Sequence, residues 1–280
     1  MEISIKNKIE RKRLSLITDV IIFLLVLNLF LLGFKFISSN DGIVQNLSLE
    51  DVEIVNKNYI ESNYIKDKYN VTILYGNDSY ESALKVEANI QENEYKIYQN
   101  LIEINKALEK YPDTFFQGNN LTIILLDNFN NNNIALASRN RLNEFKIYIS
   151  DNDTFERALH HEMFHIFEYR LNISKKDMFL NWNELNPVNF EYISNSKDLD
   201  AKYLYSNSSN KNDMFFVTKY SKTSEKEDRA EIFAEIMTFK IKPEYLAVGS
   251  NINKKAQYIT DIMTDNLKST NSTSFYWNRF

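Results

Sequence analysis

The spacing of apolar residues predicts most of the regular elements of this chain. From residue 79 to residue 110 apolar side chains recur at helical spacing and Tyr111-Pro112 follows, so the pattern predicts one long amphipathic helix. Residues 40 to 75, before this helix, are polar and predict only short extended pieces, such as Val71 to Tyr75. The first part of the chain therefore predicts a helix with little strand.

The middle of the chain changes to strand patterns and then returns to helix. Residues 121 to 126 are aliphatic and β-branched, which predicts a buried strand, and residues 145 to 150 alternate, which predicts an edge strand with one solvated face. A helix is predicted over residues 154 to 171, with Asp153 and Glu156 spaced as in a capping box. After an irregular aromatic stretch, further helices are predicted at 224 to 240 and 253 to 267. This order predicts an α+β fold.

The longest apolar run lies near the N-terminus. Residues 14 to 37 are mostly apolar and long enough to span a bilayer, and residues 1 to 13 are basic. The basic flank predicts a cytoplasmic N-terminus, with everything from about residue 38 outside the membrane. A cleaved signal peptide is the alternative, because Ser38 and Ser39 offer small residues for cleavage. The prediction is a single-pass protein of the cell membrane, or a secreted one if this segment is removed.

Composition and charge restrict the possible chemistry. The 280-residue chain has no cysteine, which excludes thiolate catalysis, cysteine zinc sites and disulfides. Its net charge of -5 argues against a surface for nucleic acid, and no nucleic-acid partner is predicted. Reactive groups must therefore come from histidine, carboxylates, hydroxyls or a metal.

One short motif within the predicted helix 154 to 171 carries chemistry. His161, Glu162 and His165 form the pattern H-E-x-x-H. Residues four apart share one face of a helix, so both imidazoles can reach one zinc ion while Glu162 reaches a water beside it. The simpler alternative is a pair of histidines on an ordinary helix surface. The motif predicts a catalytic zinc site with Glu162 as the general base.

Zinc needs a third protein ligand, and the sequence restricts what it can be. The metzincin signature would require glycine at 168 and histidine at 171, but the chain has Glu168 and Leu171. The last histidine, His160, points away from the pair by helical geometry, which predicts a packing or supporting residue. The third ligand is therefore a carboxylate or a non-standard group.

A second acidic segment resembles a known family. From Tyr220 onward the chain is similar to the second zinc helix of gluzincin metallopeptidases of the anthrax lethal factor type and related bacterial secreted enzymes, Tyr-x-x-Thr-Asn-x-x-Glu-x-x-Ala-Glu-x-Phe. The matching residues are Tyr220, Thr223, Glu227, Ala230, Glu231 and Phe233, with Ser224 in place of Asn. The resemblance implies that Glu227 is the third ligand, that Glu231 supports a ligand histidine, and that Tyr220 donates a hydrogen bond in the transition state.

Two features of this segment leave alternatives open. The repeat Glu231-Ile-Phe-Ala-Glu235 allows Glu231 as the ligand with Glu235 behind it, although only Glu227 places the tyrosine in the family register. Ser224 and Glu227 have the spacing of a capping box, and the acidic residues can also form a merely solvated face. The choice between Glu227 and Glu231 stays open in the sequence.

The resemblance covers about residues 116 to 245, less than half of the chain, and it implies a fold and a function. The fold would be a zincin-like α+β domain with a small mixed sheet, an active-site helix and a second ligand helix. The predicted organisation is a basic tail at 1–13, the anchor or signal segment at 14–37, an extracytoplasmic region at 38–115 and the catalytic domain at 116–280. The implied function is hydrolysis of peptides or proteins with one Zn²⁺ per chain. The alternatives are a catalytically silent surface binding module and a metal-free structural partner of a membrane complex.

Overall fold

The computed structural model describes most of the chain beyond residue 47. The described residues are 48–116, 118, 120–131, 133–140, 144–174, 178–193, 200, 202–205, 210–239, 247–267 and 275–278. They belong almost entirely to the second of two compact units, Met1–Glu50 and Asp51–Phe280. The predicted segments at 1–13 and 14–37 lie outside the described residues. Among the residues described, no helix is both long and apolar enough to cross a membrane.

The described part of the chain contains seven α-helices and five strands, which confirms the predicted α+β class. In chain order they are α1 (Leu49–Tyr69), β1 (Val71–Leu74), α2 (Tyr80–Leu84), β2 (Ala88–Ile90), α3 (Glu94–Leu108), α4 (Asp113–Phe116), β3 (Asn120–Phe129), β4 (Ala135–Arg139), β5 (Glu144–Ser150), α5 (Phe155–Ser174), α6 (Glu225–Thr238) and α7 (Asn251–Leu267).

The five strands form one small mixed sheet, as predicted. Its order is β1-β3-β5-β4, and β2 pairs with the far end of β3. β1, β3 and β5 run parallel, whereas β4 is antiparallel to β5 and β2 is antiparallel to β3. The predicted buried strand at 121 to 126 is confirmed as the centre of β3.

The prediction that residues 145 to 150 form the edge strand is wrong. β5 pairs with β3 on one side and with β4 on the other, so β4 rather than β5 lies at this edge of the described sheet. The prediction that one face of this strand is solvated is also wrong at the end of β5, where Tyr148 is buried in a cluster with Ala83. β4 gave no clear strand pattern because it is short, contains Ser138 and Arg139, and follows an asparagine-rich stretch.

The prediction of one helix from residue 79 to residue 110 is also wrong. Two helices, α2 and α3, occupy this stretch, with β2 between them. Glu87 has a positive φ of 53°, a left-handed conformation that does not continue a helix. The side chain of Asn93 caps α3 by accepting hydrogen bonds from the backbone N–H groups of Tyr95 and Lys96. The backbone of β2 forms its hydrogen bonds with β3, and the spacing of apolar residues along the chain does not predict such pairing.

The long helix α1 is a further difference, because it lies within residues 40 to 75, for which only short extended pieces were predicted.

The three helices predicted after residue 150 are confirmed as α5, α6 and α7, and they pack together in the core. α5 packs against α6 and also contacts β4 and β5, and α7 packs on α6. α5 and α6 are further joined by an ion pair between Glu168 and Arg229, both buried. The buried core includes Phe164 of α5 and Phe233 of α6, whose rings lie 5.1 Å apart. This packing holds the two helices that carry the candidate ligands in a fixed relation.

Candidate metal centre

The first two candidate ligands lie on α5. His161 and His165 are one helical turn apart, and their Nε2 atoms approach to 3.0 Å. The rings are nearly perpendicular, with centroids 4.7 Å apart. Both side chains are largely buried, with 8% and 21% of their surfaces exposed. The helical spacing therefore directs two imidazole nitrogens at one point.

The third candidate comes from the first turn of α6. Ser224 is the N-cap of this helix, and its side chain accepts a hydrogen bond from the backbone N–H of Glu227. The predicted cap is therefore present and fixes the turn that carries Glu227. The carboxylate Oε2 of Glu227 lies 3.0 Å from Nε2 of His161 and 3.3 Å from Nε2 of His165. Glu227 thus completes a triangle of three donor atoms.

The dimensions of this triangle fit a zinc ion. In a tetrahedral zinc site with bonds of about 2.0 to 2.1 Å, ligand atoms lie roughly 3.3 Å from one another. His161, His165 and Glu227 are the residues that can hold a metal among those described, since their donor atoms lie within 4.8 Å of one another. Two imidazoles and one carboxylate form a donor set typical of catalytic zinc, which keeps a fourth position open.

The electrostatics of the group favour a positive charge. Burial lowers the pKa of His161, but hydrogen bonds to Glu227 and Glu231 outweigh burial and raise this pKa to about 9. Burial raises the pKa of Glu227, but hydrogen bonds to His161 and His165 outweigh burial and hold this pKa well below its ordinary value. The carboxylates thus stabilise a cation at the imidazoles, and a divalent metal satisfies the same requirement in place of protons.

Glu231 lies on the opposite side of the His161 ring from Glu227. Its Oε1 is 2.9 Å from Nδ1 of His161, so it contacts the nitrogen that does not face the triangle. Arg157 binds the Glu231 carboxylate with two nitrogens, at 3.0 and 2.6 Å. The remaining candidate, Glu235, contacts Arg157 at 2.7 Å. The structure therefore brings Glu227 together with the two Nε2 atoms and places Glu231 where it orients an imidazole.

Glu162 is held at the mouth of the site by the edge strand. Its Oε2 accepts a hydrogen bond of 2.6 Å from the backbone N–H of Ala137 in β4. Burial raises the pKa of Glu162, although His161, His165 and the Ala137 N–H oppose this shift. A raised pKa means that the carboxylate accepts a proton more readily, which is what a general base must do.

Tyr220 lies beside His161. It begins a 3-10 turn, Tyr220–Lys222, just before α6, and its ring centroid is 6.0 Å from that of His161. About half of the side chain is exposed, at 48%. Burial of the rest, followed by the charges of Glu227 and Glu162, raises the pKa of Tyr220, so its hydroxyl keeps its proton and can donate a hydrogen bond.

His160 points away from the triangle, as predicted. It is fully buried, and its Nδ1 lies 2.7 Å from the hydroxyl of Tyr111. Burial lowers the pKa of His160 and favours its neutral form. This histidine packs between α5 and the segment that precedes α4.

The candidate residues line one open cleft. A cavity of about 360 Å³ is lined by β4, by one face of α5 and by the start of α6, and it includes His161, Glu162, His165, Tyr220 and Glu227. The far wall contains Arg139, whose guanidinium stacks 3.9 Å above the ring of Tyr169. His161, Glu162, His165, Tyr220 and Glu227 therefore face one space that is open to solvent, whereas Glu231 lies behind His161.

Three supporting contacts were not found by sequence reasoning. Arg157 lies one turn before His161 on α5, and this helical spacing is a sequence signal that was available. The Ala137 N–H and the side chain of Thr218, which donates to Glu231 at 2.6 Å, left no local pattern. Both depend on how distant segments meet.

Comparison with known proteins assigns no family to this chain. No protein-family profile matches the chain, and no curated protein matches it. Among solved structures, the chain is similar to a candidate zinc-binding metallo-peptidase from Bacteroides caccae, with 18% identity and a TM-score of 0.44, over 79% of this chain and 88% of the other. Similarity at this level assigns neither an activity nor a ligand, so the functional proposal depends on the side chains of this chain.

Proposed function

We propose that this chain is a zinc-dependent endopeptidase. The observation that carries the proposal is the triangle of His161, His165 and Glu227, with sides of 3.0 to 3.3 Å, facing the same cleft as Glu162. A zinc ion bound there would supply a Lewis acid that polarises a carbonyl group and makes water more acidic. The other steps of the reaction depend on the residues of the chain.

Glu162 would act as the general base. Its carboxylate lies next to the triangle, where it takes a proton from the attacking water and returns that proton to the leaving amine. The Ala137 N–H holds one oxygen of the carboxylate, and Glu162 lines the cleft. Burial raises its pKa, which brings the proton affinity of Glu162 closer to that needed for both transfers.

Tyr220 would stabilise the developing negative charge. As water adds to an amide carbonyl, the carbonyl oxygen becomes an oxyanion and accepts stronger hydrogen bonds. The tyrosine hydroxyl stays protonated in this environment, and the ring lines the cleft beside His161. Tyr220 is therefore suited to donate to the oxyanion.

The edge strand β4 would align a peptide substrate. Ile134 and Asn140 form backbone hydrogen bonds with Ser150 and Glu144 of β5, so the backbone groups of the odd-numbered residues of β4 point the other way, where the N–H of Ala137 binds Glu162. An extended peptide can form hydrogen bonds with such an edge. This supports a peptide or protein as substrate, with β4 as the docking strand.

Location and the resemblance to lethal-factor-type gluzincins are part of the proposal. The apolar run at 14 to 37 and the basic residues before it support a cell-membrane anchor with the peptidase outside, or a secreted enzyme after cleavage. The contact of Glu231 with Nδ1 of His161 and the position of Tyr220 just before α6 support this resemblance.

The test of this function is metal content together with peptide cleavage. The purified full chain is expected to bind about one zinc ion, measured by elemental mass spectrometry, and to cleave members of a mixed peptide library. Glu227→Ala should lose the zinc, whereas Glu231→Ala should weaken binding by about 10- to 100-fold because an imidazole loses its partner. Glu225→Ala, in the same helical turn, is the matched control and should retain zinc.

Each alternative has its own outcome. A folded wild-type chain that binds no zinc would contradict the metal site. Zinc lost from Glu231→Ala but kept by Glu227→Ala would transfer the ligand role to Glu231. Zinc at full occupancy with no cleavage of any library peptide would replace the enzyme with a zinc-containing binding module.

A further inference from the structure

The carboxylate of Glu231 is a junction between three parts of the site. Its Oε1 contacts Nδ1 of His161 at 2.9 Å and Arg157 at 3.0 Å. Its Oε2 accepts from Arg157 at 2.6 Å and from the hydroxyl of Thr218 at 2.6 Å. Only 5% of the side chain is exposed, so these contacts replace water almost completely. One carboxylate therefore joins α5, α6 and the segment before α6.

The Thr218 contact reaches the segment that carries Tyr220. Oγ of Thr218 accepts a hydrogen bond from the backbone N–H of Ser221 at 3.1 Å, and its own N–H donates to the Ser221 hydroxyl at 3.3 Å. The two hydroxyls lie 3.2 Å apart, and Ser221 is fully buried. These hydrogen bonds between residues 218 and 221 close a short turn of the backbone, and Tyr220 is one of the two residues between them.

We propose that Thr218 is a positioning residue that fixes the Tyr220 segment relative to His161 through its hydrogen bond to Glu231. The inference rests on the proposed function, because it concerns the same site. Thr218 does not line the cleft, and its side chain is hydrogen-bonded to Glu231 and Ser221, so it would act through other residues.

Glu231 is held by both Arg157 and Thr218, so the role of Thr218 can be tested separately from metal binding. Arg157 holds both oxygens of Glu231 in a forked arrangement that keeps the carboxylate oriented toward His161. Removing the Thr218 hydroxyl leaves this fork in place but removes the hydrogen bonds that join residue 218 to Glu231 and to the backbone N–H of Ser221. Zinc affinity should therefore survive the loss of Thr218, whereas the position of Tyr220 should not.

The kinetic test compares three substitutions in the full chain loaded with zinc. Thr218→Val keeps the shape but removes the hydroxyl, and it should lower kcat by about 10- to 100-fold with KM little changed, as small displacements of a catalytic group do. Thr218→Ser restores the hydroxyl and should return kcat to within about 3-fold of wild type. Thr238→Val is the matched control, because the Thr238 hydroxyl donates to the backbone carbonyl of Ala234 at the other end of α6. Zinc affinity, measured with a competing chelator, should stay within about 3-fold in all three, in contrast to Glu231→Gln.

A double-substitution cycle asks whether Thr218 acts through the tyrosine. If it does, adding Thr218→Val to Tyr220→Phe should cost little more than Tyr220→Phe alone. Effects that multiply, or a Thr218→Val enzyme with wild-type kcat, would overturn the proposal.

Hydrogen exchange supplies a readout that needs neither zinc nor turnover. The peptide around residues 216 to 224 should exchange faster in Thr218→Val than in wild type, and Thr218→Ser should restore protection. Unchanged protection would overturn the proposal even in an active enzyme. Conversely, faster exchange in a chain that binds no zinc would support the positioning role while the proposed peptidase function failed, so the two failures are distinguishable.

Discussion

Replacing Glu162 by glutamine is expected to reduce peptide cleavage by about 10³-fold without loss of zinc, because a general base contributes about 10²- to 10⁴-fold. Glutamine has nearly the same shape, and its amide oxygen can still accept the hydrogen bond of the Ala137 N–H. The amide cannot take a proton from water at neutral pH. The loss should therefore appear in kcat, measured on a peptide selected from the library.

The control for this substitution is Glu92→Gln. Glu92 is exposed and does not line the cleft, so the same chemical change there should leave cleavage and zinc content unaltered. Two results would contradict the assignment of Glu162. One is a Glu162→Gln enzyme with wild-type kcat, and the other is a variant that loses zinc together with activity, since the residue would then act on the metal site itself.

The part of the site that the sequence predicts best is the part that is local in the chain. His161, Glu162 and His165 lie within one helical turn, so the helical period alone places two imidazoles on one face. The choice between Glu227 and Glu231 needed tertiary structure, because both lie on the same face of α6. They differ in the nitrogen of His161 that each contacts, Nε2 for Glu227 and Nδ1 for Glu231, and this depends on how α5 and α6 pack together.

The errors in the fold arose where pairing between distant segments outweighed local pattern. Residues 79 to 110 have helical periodicity, yet β2 lies within them because its backbone pairs with β3. β4 lacked a strand pattern, yet it closes the sheet and supplies the N–H that holds Glu162. A strand's backbone hydrogen bonds depend on its partner, so short strands are poorly predicted by their own residues.

Immediately after Glu227, α6 carries a buried polar network that no motif predicts. Oδ2 of Asp228 accepts hydrogen bonds from Lys255 at 2.6 Å, from Tyr192 at 2.9 Å and from Trp182 at 3.0 Å. Asp228 and Lys255 are fully buried, and burial raises the pKa of the carboxyl and lowers that of the amine. The network joins α6 to α7 and to the aromatic segment around Trp182, so it fixes the helix whose first turn carries Glu227.

Removal of one partner of this ion pair is the second prediction with a large effect. Lys255→Met is expected to lower the free energy of unfolding by about 3 to 5 kcal/mol, because Asp228 is left as a buried carboxylate without its counter-ion. Methionine packs acceptably beside the rings of Trp182 and Phe216, which now lie near the ammonium group, so the loss is electrostatic rather than a cavity effect. Urea denaturation followed by circular dichroism measures it.

The double variant Asp228→Asn with Lys255→Met separates charge from packing. Asparagine still accepts from Tyr192 and Trp182 but carries no charge, so the double variant should be more stable than Lys255→Met alone. The matched control is Lys254→Met, since Lys254 is the exposed neighbour on the same helix and its loss should cost less than about 0.5 kcal/mol. If Lys255→Met were as stable as this control, Asp228 would have to be neutral in the folded chain, and the network would join α6 to α7 by hydrogen bonds alone rather than by an ion pair.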